Sequence, residues 1–242
     1  LKYEADKTIP KKTVAAQDLF GDLLKERAET GRIYIMNLDH CNSHSSFKDK
    51  VSMSNLCQEI TLPTTPIQDI HDDQGEIALC ILSAVNVGGL NDLGELENIC
   101  DLAVRALEQI IDYQDYPVKA AEVSTKRRRS LGIGYIGLAH YLAKHGAKYS
   151  DPKAWDLVDR LSEAFQYHLL RASCNIAMEK GKCEGFDRTK YADGLLPIDH
   201  YKKDVDKIVP HKQRMAWESL RKDIAKHGLR HSTLSAQMPS ES

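Results

Sequence analysis

The run Ile77-Ala78-Leu79-Cys80-Ile81-Leu82-Ser83-Ala84-Val85-Asn86-Val87, closed by Gly88-Gly89, decides the fold. Nearly every position is apolar, so neither face is marked for solvent, and the length suits a strand. A strand covered on both faces belongs to α/β proteins, where helices pack outside a sheet. Downstream, residues 93–113 predict a long amphipathic helix with Leu96, Ile99, Ala103, Leu107 and Ile110 inward. Residues 130–136 read as a strand or tight turn entering a helix that continues through Leu142. Asp151-Pro152 is a helix start, Asp as N-cap and Pro at the first helical position, for a helix reaching Glu179 before Gly181. Residues 215–227 predict another amphipathic helix, stopped by Gly228, and residues 229–236 a strand leading into Met238-Pro239-Ser240-Glu241-Ser242.

Upstream, residues 12–30 carry Val14, Leu19, Phe20, Leu23, Leu24 and Ala28 at helical spacing, with Gly31 as the stop. Residues 32–38 (RIYIMNL) are β-branched and aromatic and predict a short buried strand. Residues 39–54, rich in Asn, Ser, His and Asp, predict a polar loop. Strands alternating with helices give an α/β architecture, with helices outside a sheet or barrel. Without an internal repeat, a low-complexity stretch or a Pro/Gly-rich linker, residues 1–242 are expected to form one compact unit.

Composition narrows the function. The 242 residues are 42% hydrophobic and 28% charged with a net charge of −2, an ordinary globular balance. Near-neutrality argues against generic nucleic-acid binding, which needs a broad basic face. No stretch reaches the ~18 apolar residues of a membrane span. The chain opens on Leu1 with no apolar signal core and stops at Ser242, and reads as a piece cut at both ends. Cys41, Cys57, Cys80, Cys100, Cys174 and Cys183 form no CxxC pair, unlike a secreted disulfide scaffold. A reducing cytoplasm is expected, so any cysteine pair that matters is catalytic.

One segment concentrates chemistry. In Ser54-Asn55-Leu56-Cys57-Gln58-Glu59, an extended backbone would aim Asn55, Cys57 and Glu59 at one small volume. An amide, a thiol and a proton acceptor converging there suit a reaction centre. The bland alternative is a strand with a buried Cys beside a surface Glu. Cys80, inside the apolar run, has the same two readings, since a buried Cys commonly serves as a small hydrophobe. Gly132-Ile133-Gly134-Tyr135-Ile136-Gly137 matches the dinucleotide-binding glycine spacing, but packing glycines at a sheet–helix turn are the stronger reading. The basic run Lys126 to Arg129 is expected to be a solvated turn, with a salt or phosphate contact as the minority reading. His40, Cys41 and His44 lack a fourth ligand at zinc spacing, so no metal site is expected. Cys100 and Cys174 are read as core, Cys183 as a free loop thiol, and the tyrosines of residues 112–117 as structural.

These motifs together resemble the large subunit of class I ribonucleotide reductases, closest to the bacterial and phage aerobic type. The resemblance rests on Ser52-Met53-Ser54-Asn55-Leu56-Cys57-Gln58-Glu59-Ile60, Gly75-Glu76-Ile77-Ala78-Leu79-Cys80 and Leu82-Ser83-Ala84-Val85-Asn86. Gly31-Arg32-Ile33-Tyr34-Ile35, Asp39-His40-Cys41-Asn42, Asp112-Tyr113-Gln114-Asp115-Tyr116-Pro117 and Arg129-Ser130-Leu131-Gly132-Ile133-Gly134 extend it. Leu229-Arg230-His231-Ser232-Thr233 and Met238-Pro239-Ser240-Glu241-Ser242 complete it in order along the chain.

The resemblance implies part of a ten-stranded α/β barrel that reduces ribonucleoside diphosphates to deoxyribonucleotides by a radical mechanism. It assigns Cys57 as the thiyl that takes hydrogen from the ribose 3′ carbon. Glu59 accepts the 3′-hydroxyl proton, and Asn55, beside Ser54, hydrogen-bonds the ribose hydroxyls. Cys80 is one of two cysteines that become a disulfide, and Pro239, Ser240, Glu241 and Ser242 hold the substrate diphosphate. Its implied partners are the remaining catalytic-subunit segments, a radical-generating metal-containing small subunit and a thioredoxin- or glutaredoxin-type reductant. Effector nucleotides bind outside this segment, and the chain itself holds no cofactor. The redox partner of Cys80 would precede Leu1, and the relay tyrosines and shuttle cysteines would follow Ser242. A trimmed chain, a split gene or an intein-interrupted gene each fit that picture, and the isolated piece is expected to fold and turn over poorly. The rival readings are a non-catalytic assembly module and a nicotinamide-dependent oxidoreductase.

Overall fold

The computed structural model describes residues 5–208 and 212–239, which divide into two compact units, Leu1–Met36 and Asn37–Ser242. The first unit holds helix α1 (Ala16–Thr30). Gly31 ends it in the left-handed region at φ 66°, donating its N–H to the Arg27 carbonyl, as the glycine stop predicts. Arg32 to Met36 form no strand: Arg27 Nη1 donates to the Ile33 carbonyl, a side-chain contact where a sheet partner was expected.

In the second unit, helix α2 (Leu38–His44) occupies part of the expected polar loop. Strand β1 (Ile81–Asn86) is shorter than the apolar run that predicted it. Helix α3 (Leu96–Tyr113) and helix α4 (Lys119–Arg128) make the crossover that a parallel pairing requires. Strand β2 (Leu131–Ile136) then lies parallel to β1, in register from Ile81 opposite Leu131 to Asn86 opposite Ile136. Helices α5 (Leu138–Lys144), α6 (Pro152–Lys180) and α7 (Trp217–His227) follow. Pro152 opens α6 as expected, but the Asp151 carboxylate turns back to accept the Lys148 N–H at 2.8 Å instead of capping the helix.

The core lies where α3 and α6 pack on each other and on the sheet. Leu96, Cys100, Val104, Leu107 and Ile111 face Leu161, Leu169, Leu170 and Ile176 and are buried. Each such side chain contributes about 1.5–3 kcal/mol by leaving water. The α3 stripe is rotated by one position from the sequence expectation: Ile110 is exposed while Cys100, Val104 and Ile111 turn inward. Cys174 is buried on α6, as read, and Cys183 sits buried just past α6.

Only one face of β1 is covered. Val85 is buried while Leu82, Ala84 and Asn86 are exposed, so the two-sided covering expected from the apolar run is absent among the described residues. The two paired strands do not close a barrel. Residues 229–236 form no continuous strand. They run beside β2 through Leu131 N–H to Thr233 O (3.1 Å), Ile133 N–H to Leu234 O (2.8 Å) and Ala236 N–H to Ile133 O (3.3 Å).

Candidate functional site

The Cys57 segment is a tight turn, not the extended strand expected from its alternating side chains. Gln58 N–H donates to Asn55 O (3.2 Å), Asn55 N–H to Ile60 O (3.3 Å), and Ile60 N–H to Asn55 Oδ1 (3.1 Å). Gln58 takes φ 62°, a left-handed geometry a non-glycine residue enters at some cost. Asn55 therefore ties the turn with its side-chain oxygen. The turn's entry is held by Asn42, whose place in the sequence gives no sign of this role: its Nδ2 donates to Val51 O (2.9 Å), and Val51 N–H donates to Asn42 Oδ1 (2.8 Å).

Ser54, Asn55 and Cys80 line one cavity of about 510 Å3 with Met53, Ile60, Leu62 and residues 64–67 and 76–79. Its far wall is pinned by the Thr65–Glu76 antiparallel bridge, N–H to carbonyl at 3.1 and 3.0 Å. Gly75 is required in that wall, because a Cβ there would lie 2.4 Å from Ile67 Cγ2. Glu59 stands close enough for its negative charge to act on the Cys80 thiol. Burial, and secondarily that charge, push Cys80 up to about 12, so it is a protonated thiol at neutral pH. Glu59 Oε2 is buried without a hydrogen-bond partner among the described residues. Cys57 does not line the cavity and is exposed at the tip of the turn beside Leu56. Thus Ser54, Asn55 and Cys80 share the cavity, Glu59 acts on Cys80 without lining it, and Cys57 is exposed outside it.

Two glycines of the dinucleotide-like motif have defined packing roles. A Cβ on Gly132 would lie 2.6 Å from Cys80 Sγ, and one on Gly134 2.6 Å from Ala236 O and 2.7 Å from Met238 Sδ. Gly137 adopts φ 76° at the N-terminus of α5. Close approach, not phosphate binding, accounts for this spacing. Pro239 is exposed, and Ser240, Glu241 and Ser242 lie outside the described residues.

The arginine run is not a solvated turn. Arg128 and Arg129 are buried because each meets carboxylates that are buried with it. Arg128 Nε donates to Glu76 Oε2 (2.7 Å) and its Nη1 to Asp49 (2.9 Å), while Arg127 reaches Glu76 Oε1 (2.8 Å). Glu76 forms part of the cavity wall. Burial would raise its carboxyl, but Arg127 and Arg128 hold it below the ordinary range. Arg129 Nε donates to Glu108 (2.7 Å), which also accepts from Arg230 (2.8 Å) and His231 Nε2 (3.0 Å). Among the described residues no group of three His, Cys, Asp or Glu side chains is arranged to hold a metal ion, and no helix is long and apolar enough to cross a membrane.

Residues 1–242 match the family described as the ribonucleotide reductase barrel domain. The chain is 58% identical to the ribonucleoside-diphosphate reductase subunit alpha of Haemophilus influenzae, over 100% of this chain and 32% of that protein. It is 54% identical to ribonucleoside-diphosphate reductase 1 subunit alpha of Escherichia coli, over 99% of this chain and 32% of that one. The subunit alpha of Enterobacteria phage T4 matches at 41% identity, again over 99% and 32%. The chain spans about a third of the length of the curated relatives it matches. With the family matched end to end, the chain belongs to the ribonucleotide reductase barrel-domain family, and the described strands do not close a barrel.

Proposed function

We propose that this chain supplies the hydrogen-abstracting and proton-accepting half of a ribonucleoside-diphosphate reductase site. The observation that carries the reading is Glu59 Oε2, buried without a partner in the region where Asn55 and the protonated Cys80 thiol share a cavity. A ribose lying there would give its 3′-hydroxyl proton to Glu59, a general-base role, with its hydroxyls held by Asn55. Cys57, as a thiyl radical, takes the 3′ hydrogen atom and becomes a thiol. The 2′ hydroxyl then leaves as water with a proton from the thiol pair that contains Cys80, and the pair's other hydrogen ends on the 2′ carbon. Two electrons come from Cys80 and a second cysteine outside this chain, which close a disulfide. Cys57 finally returns its hydrogen atom to the 3′ carbon and is a thiyl again. Thiols suit both tasks because their hydrogen can be abstracted and returned, and a dithiol yields two electrons.

The radical is supplied by a metal-containing small subunit, and a thioredoxin- or glutaredoxin-type protein reduces the disulfide. The remaining catalytic-subunit segments complete the barrel and bind effector nucleotides. The diphosphate is held by the loop of Pro239, Ser240, Glu241 and Ser242. The setting is the cytoplasm, in deoxyribonucleotide synthesis, with no membrane or nucleic-acid partner. The test is cytidine diphosphate reduction by this chain alone and by the mixture with its flanking segments and a small subunit, with Cys57→Ser as control. Turnover only in the full mixture, abolished by Cys57→Ser, is the expected result. Turnover that survives the substitution, or none in a mixture shown to assemble, refutes the assignment and leaves a non-catalytic assembly module.

A further inference from the structure

We infer that a polar pocket between the end of α2, residues 191–200 and residues 233–235 binds a small oxyanion, a group of phosphate or sulfate size. Its volume is about 220 Å3, the space of roughly seven waters at ~30 Å3 each. That suits a phosphoryl or sulfuryl group with a few waters. Hydrogen bonds frame the pocket on several sides. Phe47 bridges Thr189, with Lys48 N–H donating to Arg188 O (3.0 Å) and Lys190 N–H to Ser46 O (2.7 Å). Ser46 Oγ donates to Ser232 O (3.1 Å), and Ser235 Oγ to Gln166 Oε1 on α6 (2.7 Å). His44 Nδ1 donates to the His200 carbonyl, which joins the end of α2 to the 191–200 segment.

Within that frame, two atoms call for a partner that the chain does not supply. Ser45 Oγ and His200 Nε2 are buried without a hydrogen-bond partner among the described residues, and both residues line the pocket. A buried polar atom left unpaired is costly, so a bound group that satisfies both is favoured. The Thr61 and Thr233 hydroxyls line the pocket as well. Gln166 accepts from Ser235 through Oε1, which leaves its NH2 as the donating end. Among the described residues no carboxylate lines the pocket. Asp199, next to His200, is taken by Arg221 (2.7 and 3.1 Å) and by the Leu196 N–H (2.7 Å). Positive charge comes from Lys190, whose Nζ donates to Asn42 O (3.1 Å) and Ser43 O (2.8 Å). Those are two of the last carbonyls of α2, so the negative end of that helix is offset. Burial, and secondarily the Lys190 charge, hold His200 below its ordinary 6.5, which puts Lys190 within electrostatic reach of the pocket. Hydroxyls, an amide NH2 and an imidazole, with no opposing carboxylate, suit a ligand that only accepts hydrogen bonds.

The test uses the complete subunit that contains this chain, crystallised with selenate, whose selenium marks an occupied pocket by anomalous scattering. In solution, diethylpyrocarbonate labelling of His44 and His200 follows the same pocket, in sulfate against chloride at equal ionic strength, read by peptide mass spectrometry. A selenium peak beside Ser45 and His200, with slower labelling in sulfate, is the expected result. Ser45→Ala removes one oxygen and adds no bulk, and it should weaken the sulfate protection about tenfold or more, the effect of losing one hydrogen bond to a charged ligand. Phosphate and phenyl phosphate are run beside sulfate to separate two sources of the same group. Protection by all three means that the pocket takes the group on the end of a larger ligand, and protection by the free anions alone means that it takes only those. Labelling equal in sulfate and chloride, or protection undiminished in Ser45→Ala, overturns the inference. So does a pocket filled, in the complete subunit, by another of its segments. A selenium peak without protection in solution is binding at crystal concentration only and overturns it too, leaving water as the partner of Ser45 and His200.

Discussion

Cys57 and Cys80 face different environments, and their reactivity follows. Cys57 is exposed on its turn, whereas Cys80 is pushed up to about 12 by burial and by the Glu59 charge. The thiolate is the nucleophile, so iodoacetamide at pH 8 should label Cys57 well before Cys80. Glu59→Gln removes a negative charge that disfavours the Cys80 thiolate, so Cys80 labelling should quicken while burial still keeps it slow. Peptide mass spectrometry over a labelling time course measures both rates. Slower or unchanged Cys80 labelling in Glu59→Gln would show that the carboxylate does not act on that sulfur.

Elements are joined by buried charge as much as by apolar contact. Glu108 on α3 meets Arg129 after α4 and both Arg230 and His231 after α7, and it is almost fully buried. Removing one member of such a set strands the others, so Glu108→Ala should cost roughly 3–5 kcal/mol, seen as a lower urea midpoint. The pH dependence has a definite sign. Burial lowers His231 below its ordinary 6.5, so its Nε2–H is donated to Glu108 by a neutral ring, and the unfolded chain binds the extra proton first. Stability is therefore complete above about pH 6.5 and declines as pH falls below that. For Glu108, burial opposes ionisation, but His231, Arg129 and Arg230 bring the carboxyl from 4.5 to about 2. A further loss follows as pH falls through that interval. Melting temperatures measured from pH 8 down to pH 3 should fall in this order, and His231→Gln should flatten the upper part. A melting temperature that rises on acidification from pH 7 to pH 5 would contradict the neutral buried histidine.

For the molecule as a whole, the open side of β1 is the weak point. Leu82 on β1 and Leu79 just before it are 49% and 38% exposed, and β1 has a strand partner on only one side among the described residues. An unpaired apolar edge recruits other chains. Alone, the chain should associate in a concentration-dependent way in size-exclusion chromatography, and Leu82→Lys should reduce that association. A sharp monomer peak at every concentration would show that this face is tolerated without a cover.

Short-range pattern in the sequence was enough for some of this protein. The stops at Gly31, Gly181 and Gly228, the proline start of α6, the two strands and the motif around Asn55, Cys57, Glu59 and Cys80 were all legible. These depend on backbone preferences and side-chain period within a few residues. What stayed hidden depends on partners far along the chain. Alternation suggested an extended Cys57 segment, but Asn55 bonding to Ile60 folds it into a turn. Three arginines in a row suggested solvent until Glu76 and Glu108, 52 and 21 positions away, were brought in to neutralise Arg128 and Arg129. The glycine spacing suggested a phosphate loop until the Cys80 sulfur and the Met238 side chain were seen in the space those glycines leave. Sequence by itself picked out the residues proposed to carry the chemistry. The tertiary structure decided how they face one another, because burial, close approach and charge pairing are properties of segments meeting in space.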